Sequence, residues 1–254
     1  MSATRCLNCN CEIEKNYCSS CGQKTDTHRI TVRHFLFHDL MHGVLHIDKG
    51  ILYTLKEAII RPGQAALDYI KGKRVRYYNV FYLCLLVIGL HLLLSHFYDS
   101  LSHTAVDAKN DTVEVSNFFN EHIKAILLGI IPILGLNSLW IFRRLKLNIA
   151  EQFILSGFCL LGMLLIGILF NLFDFINKLD LPSFLTVFEV VSFFMIPLFA
   201  LWTYYNATKG LYSFGGFLWR MVVFYFSVFA ILMGFLSIIV LSLTDGKGQF
   251  YIDL

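Results

Sequence analysis

Charge is what this sequence has least of. Asp, Glu, Lys and Arg make up 15% of the 254 residues, against about 25% in an ordinary soluble domain. Proline is scarce too, at 4 residues. These figures exclude disordered, collagen-like and low-complexity chains. The first 30 residues hold no apolar run of the signal-peptide kind, so the first long apolar segment is expected to direct insertion. No repeat is visible at any period. Hydrocarbon takes the place of charge: 56% of residues are hydrophobic, with 24 phenylalanines, and mean hydropathy is +0.62. One water-soluble core cannot hide that much apolar surface, which points away from a soluble enzyme and toward a multi-pass membrane protein.

Composition changes near Asn79: residues 1–79 are polar, and 80–254 are apolar runs with short polar links. A helix crossing about 30 Å of hydrocarbon needs about 20 apolar residues. Five segments qualify: 80–98, 123–142, 152–173, 184–206 and 218–243. The fold expected is an all-α integral membrane protein with five transmembrane helices. Lys and Arg set the orientation. The N-terminal region, the 143–151 loop and the 207–220 stretch carry 17 of the 21, and the other side carries only Lys109, Lys124, Lys178 and Lys247. The N-terminus is therefore expected in the cytosol and the C-terminus outside, with the polar 99–122 segment as the longest external loop.

Five of the 7 cysteines fall in the first 21 residues, as Cys6-x2-Cys9 and Cys18-x2-Cys21 plus Cys11. A two-residue spacing lets one tight turn offer two thiolates to one ion. Gly22 follows Cys21 and can take the positive φ that turns backbone N–H groups toward sulfur. The pattern predicts a minimal zinc ribbon over 1–25, with Cys6, Cys9, Cys18 and Cys21 holding a structural Zn²⁺. Ile13 and Tyr17 would fill it, and metal binding and folding would be one event. Two disulfides are the rival, opposed by a reducing cytosol. Cys11 is the leftover thiol, able to replace Cys9. Cys84 and Cys159 read as packing residues inside spans.

Between ribbon and first span, residues 26–79 read as cytosolic or interfacial amphipathic helices. His34, His38, His42 and His46 recur every fourth residue and share one helix face. This is either a second metal site using His38, His42 and His46 or a titratable surface stripe. Pro62-Gly63 reads as the turn between two short helices. Lys71, Lys73, Arg74 and Arg76 precede the first span and suit anionic lipid headgroups; Tyr77, Tyr78, Phe81 and Tyr82 suit an aromatic belt. Lipid accounts for the basic residues, so no nucleic-acid partner is expected.

Several residues combine into a resemblance: Tyr17-Cys18-x2-Cys21-Gly22-Gln23, then His46-x-Asp48-Lys49-Gly50 and Thr54. Arg61-Pro62-Gly63, Asp68-Tyr69-Ile70 and Gly72-Lys73-Arg74 complete it. With these the chain resembles the bacterial membrane proteins grouped as domain of unknown function 3667. The resemblance implies a membrane protein with a zinc-ribbon head, placed in the inner membrane, and implies no reaction.

Ionisable residues inside spans are candidates for function: Glu189 in the fourth, His91 and His96 in the first. Helical rise puts Glu189 about 9 Å and His96 about 10 Å outward of their span centres, so the two could pair. Asn137, Asn171, Ser156, Ser192 and Ser227 read as interhelical hydrogen-bonding residues. Gly157, Gly162 and Gly167 allow close packing of the third span, and Pro132 and Pro197 can kink the second and fourth. The expected function is non-enzymatic: a zinc-binding cytosolic head that docks a protein partner or senses a signal. The alternatives are a small transporter or channel using Glu189 and His96, and a membrane metalloenzyme using the His34–His46 stripe.

Overall fold

The computed structural model describes residues 5–13, 16–25, 29–30, 50–102, 110–177 and 185–243. Seven α-helices carry this part of the chain. They are α1 (Gly50–Ile60), α2 (Pro62–Ile70), α3 (Val80–Ser102), α4 (Asn110–Ile141), α5 (Ile149–Asn177), α6 (Leu185–Thr208) and α7 (Phe214–Leu243). A single 3-10 turn, Arg143–Leu145, follows α4. Among the described residues the only strand-like pairings are two isolated antiparallel bridges, Arg5 with Glu12 and Tyr17 with Lys24.

Among the described residues, four helices are long and apolar enough to cross a membrane, over Val80–Phe97, His122–Ile141, Ile149–Leu169 and Phe214–Ile239. In α6, which has 24 residues, the side chains up to 193 lie outside the described residues. The helices overrun the apolar segments that reveal them. The largest departure is α4: helix begins at Asn110, so the expected 99–122 external loop is helical over more than half its length. Apolar runs measure hydrocarbon thickness; a helix continues into polar sequence as long as nothing stops it.

Helix α5 is the axis of the bundle. It packs against α3, α4, α6 and the short α1 and α2, and 67% of its apolar window is buried against 6% for α7. Asparagine caps set where two helices start. The Asn79 side chain accepts the Phe81 N–H at 3.0 Å. Asn148 and Glu151 bond each other's backbone N–H reciprocally, at 2.9 and 2.8 Å, which satisfies donors that a helix N-terminus otherwise leaves open. Between spans, Asn137 donates to the Phe224 carbonyl at 3.1 Å and accepts from Ser227 at 2.7 Å, tying α4 to α7 as expected.

The hairpin of α1 and α2 is wedged into the bundle. A methyl group at Gly162 of α5 would meet the Phe199 ring at 2.0 Å and the Ala58 carbonyl of α1 at 3.0 Å. Gly162 lies thirteen residues into α5, about 20 Å along it. A methyl group at Gly63 would meet the Thr203 carbonyl at 2.3 Å and the Ala207 nitrogen at 2.4 Å. Pro62-Gly63 is therefore not a turn, as its sequence suggests. Pro62 is the first residue of α2, where its missing N–H costs nothing, and Gly63 permits backbone contact with α6.

This wedge also overturns the expected aromatic belt. Tyr77 and Phe81 are 6% and 9% exposed, and Tyr78 and Tyr82 are half-buried. The α1–α2 hairpin surrounds the start of α3, so these rings pack inward: Tyr77 lies 5.2 Å from Tyr53 and 6.0 Å from Phe158. Trp140, Phe214 and Trp219, near the end of α4 and the start of α7, are exposed, as are Phe226 and Phe229 farther along α7.

Candidate metal centre and its docking loop

The cysteine pairs occupy two knuckles of the same design. Cys6 N–H donates to the Cys11 carbonyl at 2.9 Å and Asn10 N–H to the Cys6 carbonyl at 2.9 Å. Twelve residues on, Cys18 N–H donates to the Gln23 carbonyl at 2.8 Å and Gly22 N–H to the Cys18 carbonyl at 2.8 Å. Asn10 and Gly22 both take positive φ, 63° and 74°, and the bridges Arg5–Glu12 and Tyr17–Lys24 close each knuckle. The ribbon is thus a 12-residue structural repeat, although none is visible in the sequence. It is hard to see in the sequence because backbone bonds carry it: only the two cysteines are identical in each copy, and Asn10 substitutes for Gly22 as a residue that tolerates left-handed backbone.

The sulfurs converge. Cys6, Cys9, Cys18 and Cys21 place their Sγ atoms within 4.8 Å of one another. Cys6–Cys21 and Cys9–Cys18 are each 3.5 Å apart. A disulfide holds sulfurs about 2.05 Å apart, and all seven cysteines are free thiols, so the disulfide rival fails. Four sulfurs about 2.3 Å from one ion stand about 3.8 Å apart, close to the spacing found. Cys11 is exposed, its Sγ directed at the Cys9 carbonyl at 3.9 Å, and takes no place in the cluster.

Proton affinities within the cluster diverge. At Cys9 the Cys11 backbone N–H draws the thiol down, but desolvation and the sulfurs of Cys18, Cys21 and Cys6 outweigh it and push it up to about 12. At Cys21 desolvation pushes up, but hydrogen bonds from the Asn8 side chain, the Gln23 backbone, Cys6 and Cys9 bring it down to about 6. Like charges this close cannot all ionise without a cation among them. Soft thiolates in a set of four suit Zn²⁺ or iron, and four protein ligands leave no open coordination position.

The ribbon is held to the loop between α2 and α3. Gln23, 4% exposed, donates to the Gly72 carbonyl at 2.7 Å. Arg76 donates to the side chain and carbonyl of Asn8 at 3.0 and 2.8 Å. Residues 29–30 make a second attachment, at the start of α5. Arg29 grips Glu151 through two bonds, 2.7 and 2.8 Å, and Asn148 donates to the Ile30 carbonyl at 2.8 Å.

Below that loop runs a chain of paired charges that the motif reading did not assign. Arg61 pairs with Glu57, one turn earlier, and reaches Asp68 at 4.0 Å. Lys73 closes on Asp68 at 2.7 Å. Glu57 is 7% exposed, so its partner is required to hold it there. Burial, then the nearby Tyr53 and Asp68, push the Tyr77 phenol up. The Glu57–Arg61 spacing was the available signal, but an i, i+4 acid–base pair normally marks a solvated helix face.

The remaining candidates are scattered. Lys73 and Arg76 face protein partners, Arg74 lies 6.0 Å from the Tyr69 ring centre, and Lys71 is exposed. His91 is half-buried beside Gly167, and His96 is exposed on α3. Glu189 falls on α6 with its side chain outside the described residues, as do those of Asn171 and Ser192. His34, His38, His42 and His46 also lie outside them. Cys84 and Cys159 are fully buried between spans, as expected.

Residues 48–89 match a family described as "Protein of unknown function (DUF3667)". The matched stretch contains the whole charge chain, the docking loop and the first turns of α3; the ribbon cysteines lie before it. No curated protein and no solved structure matches the chain.

Proposed function

We propose that this chain is a five-span inner-membrane protein whose cytosolic head binds one Zn²⁺ and serves to dock a protein partner or to sense a signal, without catalysing a reaction. The convergence of the four sulfurs within 4.8 Å carries the reading. A closed thiolate set supplies a folded surface rather than a reactive metal; Tyr17, expected to fill the ribbon, instead faces outward at 61% accessible and with Leu7, 46% accessible, offers apolar contacts for a partner.

Membrane lipid is the second partner. Leu52, Ile59 and Ile60 of α1 are exposed on the side away from buried Thr54 and Ala58, the disposition of a helix lying in the interface. The fifth span is α6, whose 24 residues reach about 36 Å at 1.5 Å each.

Metal analysis of the detergent-purified full chain tests the head. One zinc per chain is expected. Cys18→Ser should lose it and Cys11→Ser should keep it. A chain without metal, or one holding iron with the visible absorption of iron thiolates, overturns the zinc reading.

A further inference from the structure

Lys73, Arg74 and Arg76 are turned onto protein groups, yet a different set of arginines has no counter-charge among the described residues at the same end of the bundle. Arg144 follows α4 and Arg220 lies in the second turn of α7. Their guanidinium carbons sit 5.1 and 4.3 Å from the centre of one ring, Tyr212. The two charges are therefore within about 10 Å of each other. Arg143 lies alongside, 5.0 Å over Trp140.

Like charges gathered on one ring repel, and no carboxylate comes within ion-pair distance of any of these arginines among the described residues. The groups are nonetheless held in place. Arg144 donates to the Leu211 carbonyl at 2.8 Å and Arg220 to the Gly216 carbonyl at 2.8 Å. Tyr212 packs edge-on against buried Phe142, 6.3 Å away, and its hydroxyl accepts the Arg144 N–H at 3.2 Å. A guanidinium has more donors than these bonds use, in a fork that matches phosphate oxygens. Trp140 lies under Arg143, Phe214 and Trp219 stand two residues after Tyr212 and one before Arg220 in the chain, and all three are 67–76% exposed; farther along α7 most side chains are exposed.

We propose that Arg144 and Arg220, gathered on the Tyr212 ring, form the headgroup site of an anionic phospholipid whose chains lie along the exposed faces of α4 and α7. The site rests on the membrane reading above. The phosphate supplies the missing counter-charge, and the adjoining apolar surface selects a lipid over free phosphate. Basic pockets between spanning helices recognise anionic lipid in this way.

The chain has 3 tryptophans, and Trp202→Phe leaves the two beside the site as reporters. Quenching of this full-length protein in detergent is measured with brominated phosphatidylglycerol and brominated phosphatidylcholine. Stronger quenching by the glycerol lipid is expected. Arg144→Gln with Arg220→Gln should weaken that lipid about 25-fold, about five-fold per arginine, and leave phosphatidylcholine unchanged. Tyr212→Leu keeps both charges but removes their platform and should also reduce the preference. Lys124→Gln, toward the other end of α4, should not. Equal quenching by the two lipids, an equal loss in Lys124→Gln, full preference in Tyr212→Leu, or displacement by inorganic phosphate at fixed ionic strength each overturns the site. Absence of quenching by either lipid would instead overturn the membrane reading beneath it.

Discussion

One methyl group tests how tightly the hairpin is wedged. At Gly63 the added carbon meets only backbone, the Thr203 carbonyl and the Ala207 nitrogen, and backbone cannot swing aside as a side chain can. Gly63→Ala should therefore lower stability by about 1–3 kcal/mol, the usual range for overpacking, read as a fall in thermal midpoint of the detergent-solubilised protein. Gly89→Ala on α3, with nothing within 4 Å, should instead be neutral or gain up to about 1 kcal/mol from helix propensity. Equal midpoints for the two variants would mean that α2 does not depend on this contact. The same residue shows why some of the site was legible and some was not. Cysteine spacing encodes turn geometry directly, so all four thiols could be named from the sequence. Pro62-Gly63 encodes a local option, and which option is used depends on a helix 140 residues away. Glu57 and Arg61 are similarly ambiguous: an acid–base pair one turn apart looks the same in the sequence whether it faces water or, as here, Tyr53 and Asp68.

At the scale of elements, two small polar contacts dock the ribbon on the 71–79 loop, and residues 29–30 add an attachment at the start of α5. Gln23 is the ribbon's buried contact, and it is also where the 12-residue repeat breaks: its counterpart Cys11 is exposed. The second knuckle has thus kept the fold of the first and changed one outward position to reach Gly72. Removing that bond should cost about 1 kcal/mol, the typical net worth of a hydrogen bond. Gln23→Ala should hold its metal normally yet raise amide exchange across the 71–79 loop about five-fold. Unchanged exchange there would show that the Arg76–Asn8 contact and the attachment of residues 29–30 hold the ribbon without the Gln23 bond. Helix existence was legible at this scale because apolar runs of this length have few other homes. Helix ends were less so: α4 begins at Asn110, where only polar sequence was visible. The cap at α5 did carry a signal, Asn148 three residues before Glu151.

For the whole molecule, the open quantity is the number of crossings, because its parity decides where the chain emerges. Contacts gather several polar segments at one end: the ribbon against Gly72 and Arg76, residues 29–30 against the start of α5, and the 143–145 turn against Leu211 and Tyr212. These are the segments richest in Lys and Arg, which retain loops in the cytosol. From that shared end, α3, α4, α5, α6 and α7 run alternately outward and back, provided α6 crosses. Its one acidic or basic residue is Glu189, whose insertion is less costly toward the interface than at the centre, and its C-terminal half is pinned to α5 at Gly162 and to α2 at Gly63. A reporter that is active only outside the cytosol, fused after Leu243, should therefore be active, and one fused after Arg144 should be silent. A fluorescent reporter that matures only in the cytosol should give the reverse pattern. Cytosolic signal at both positions would mean that α6 fails to cross, and the bundle would then have four spans with both ends of the described chain on one side.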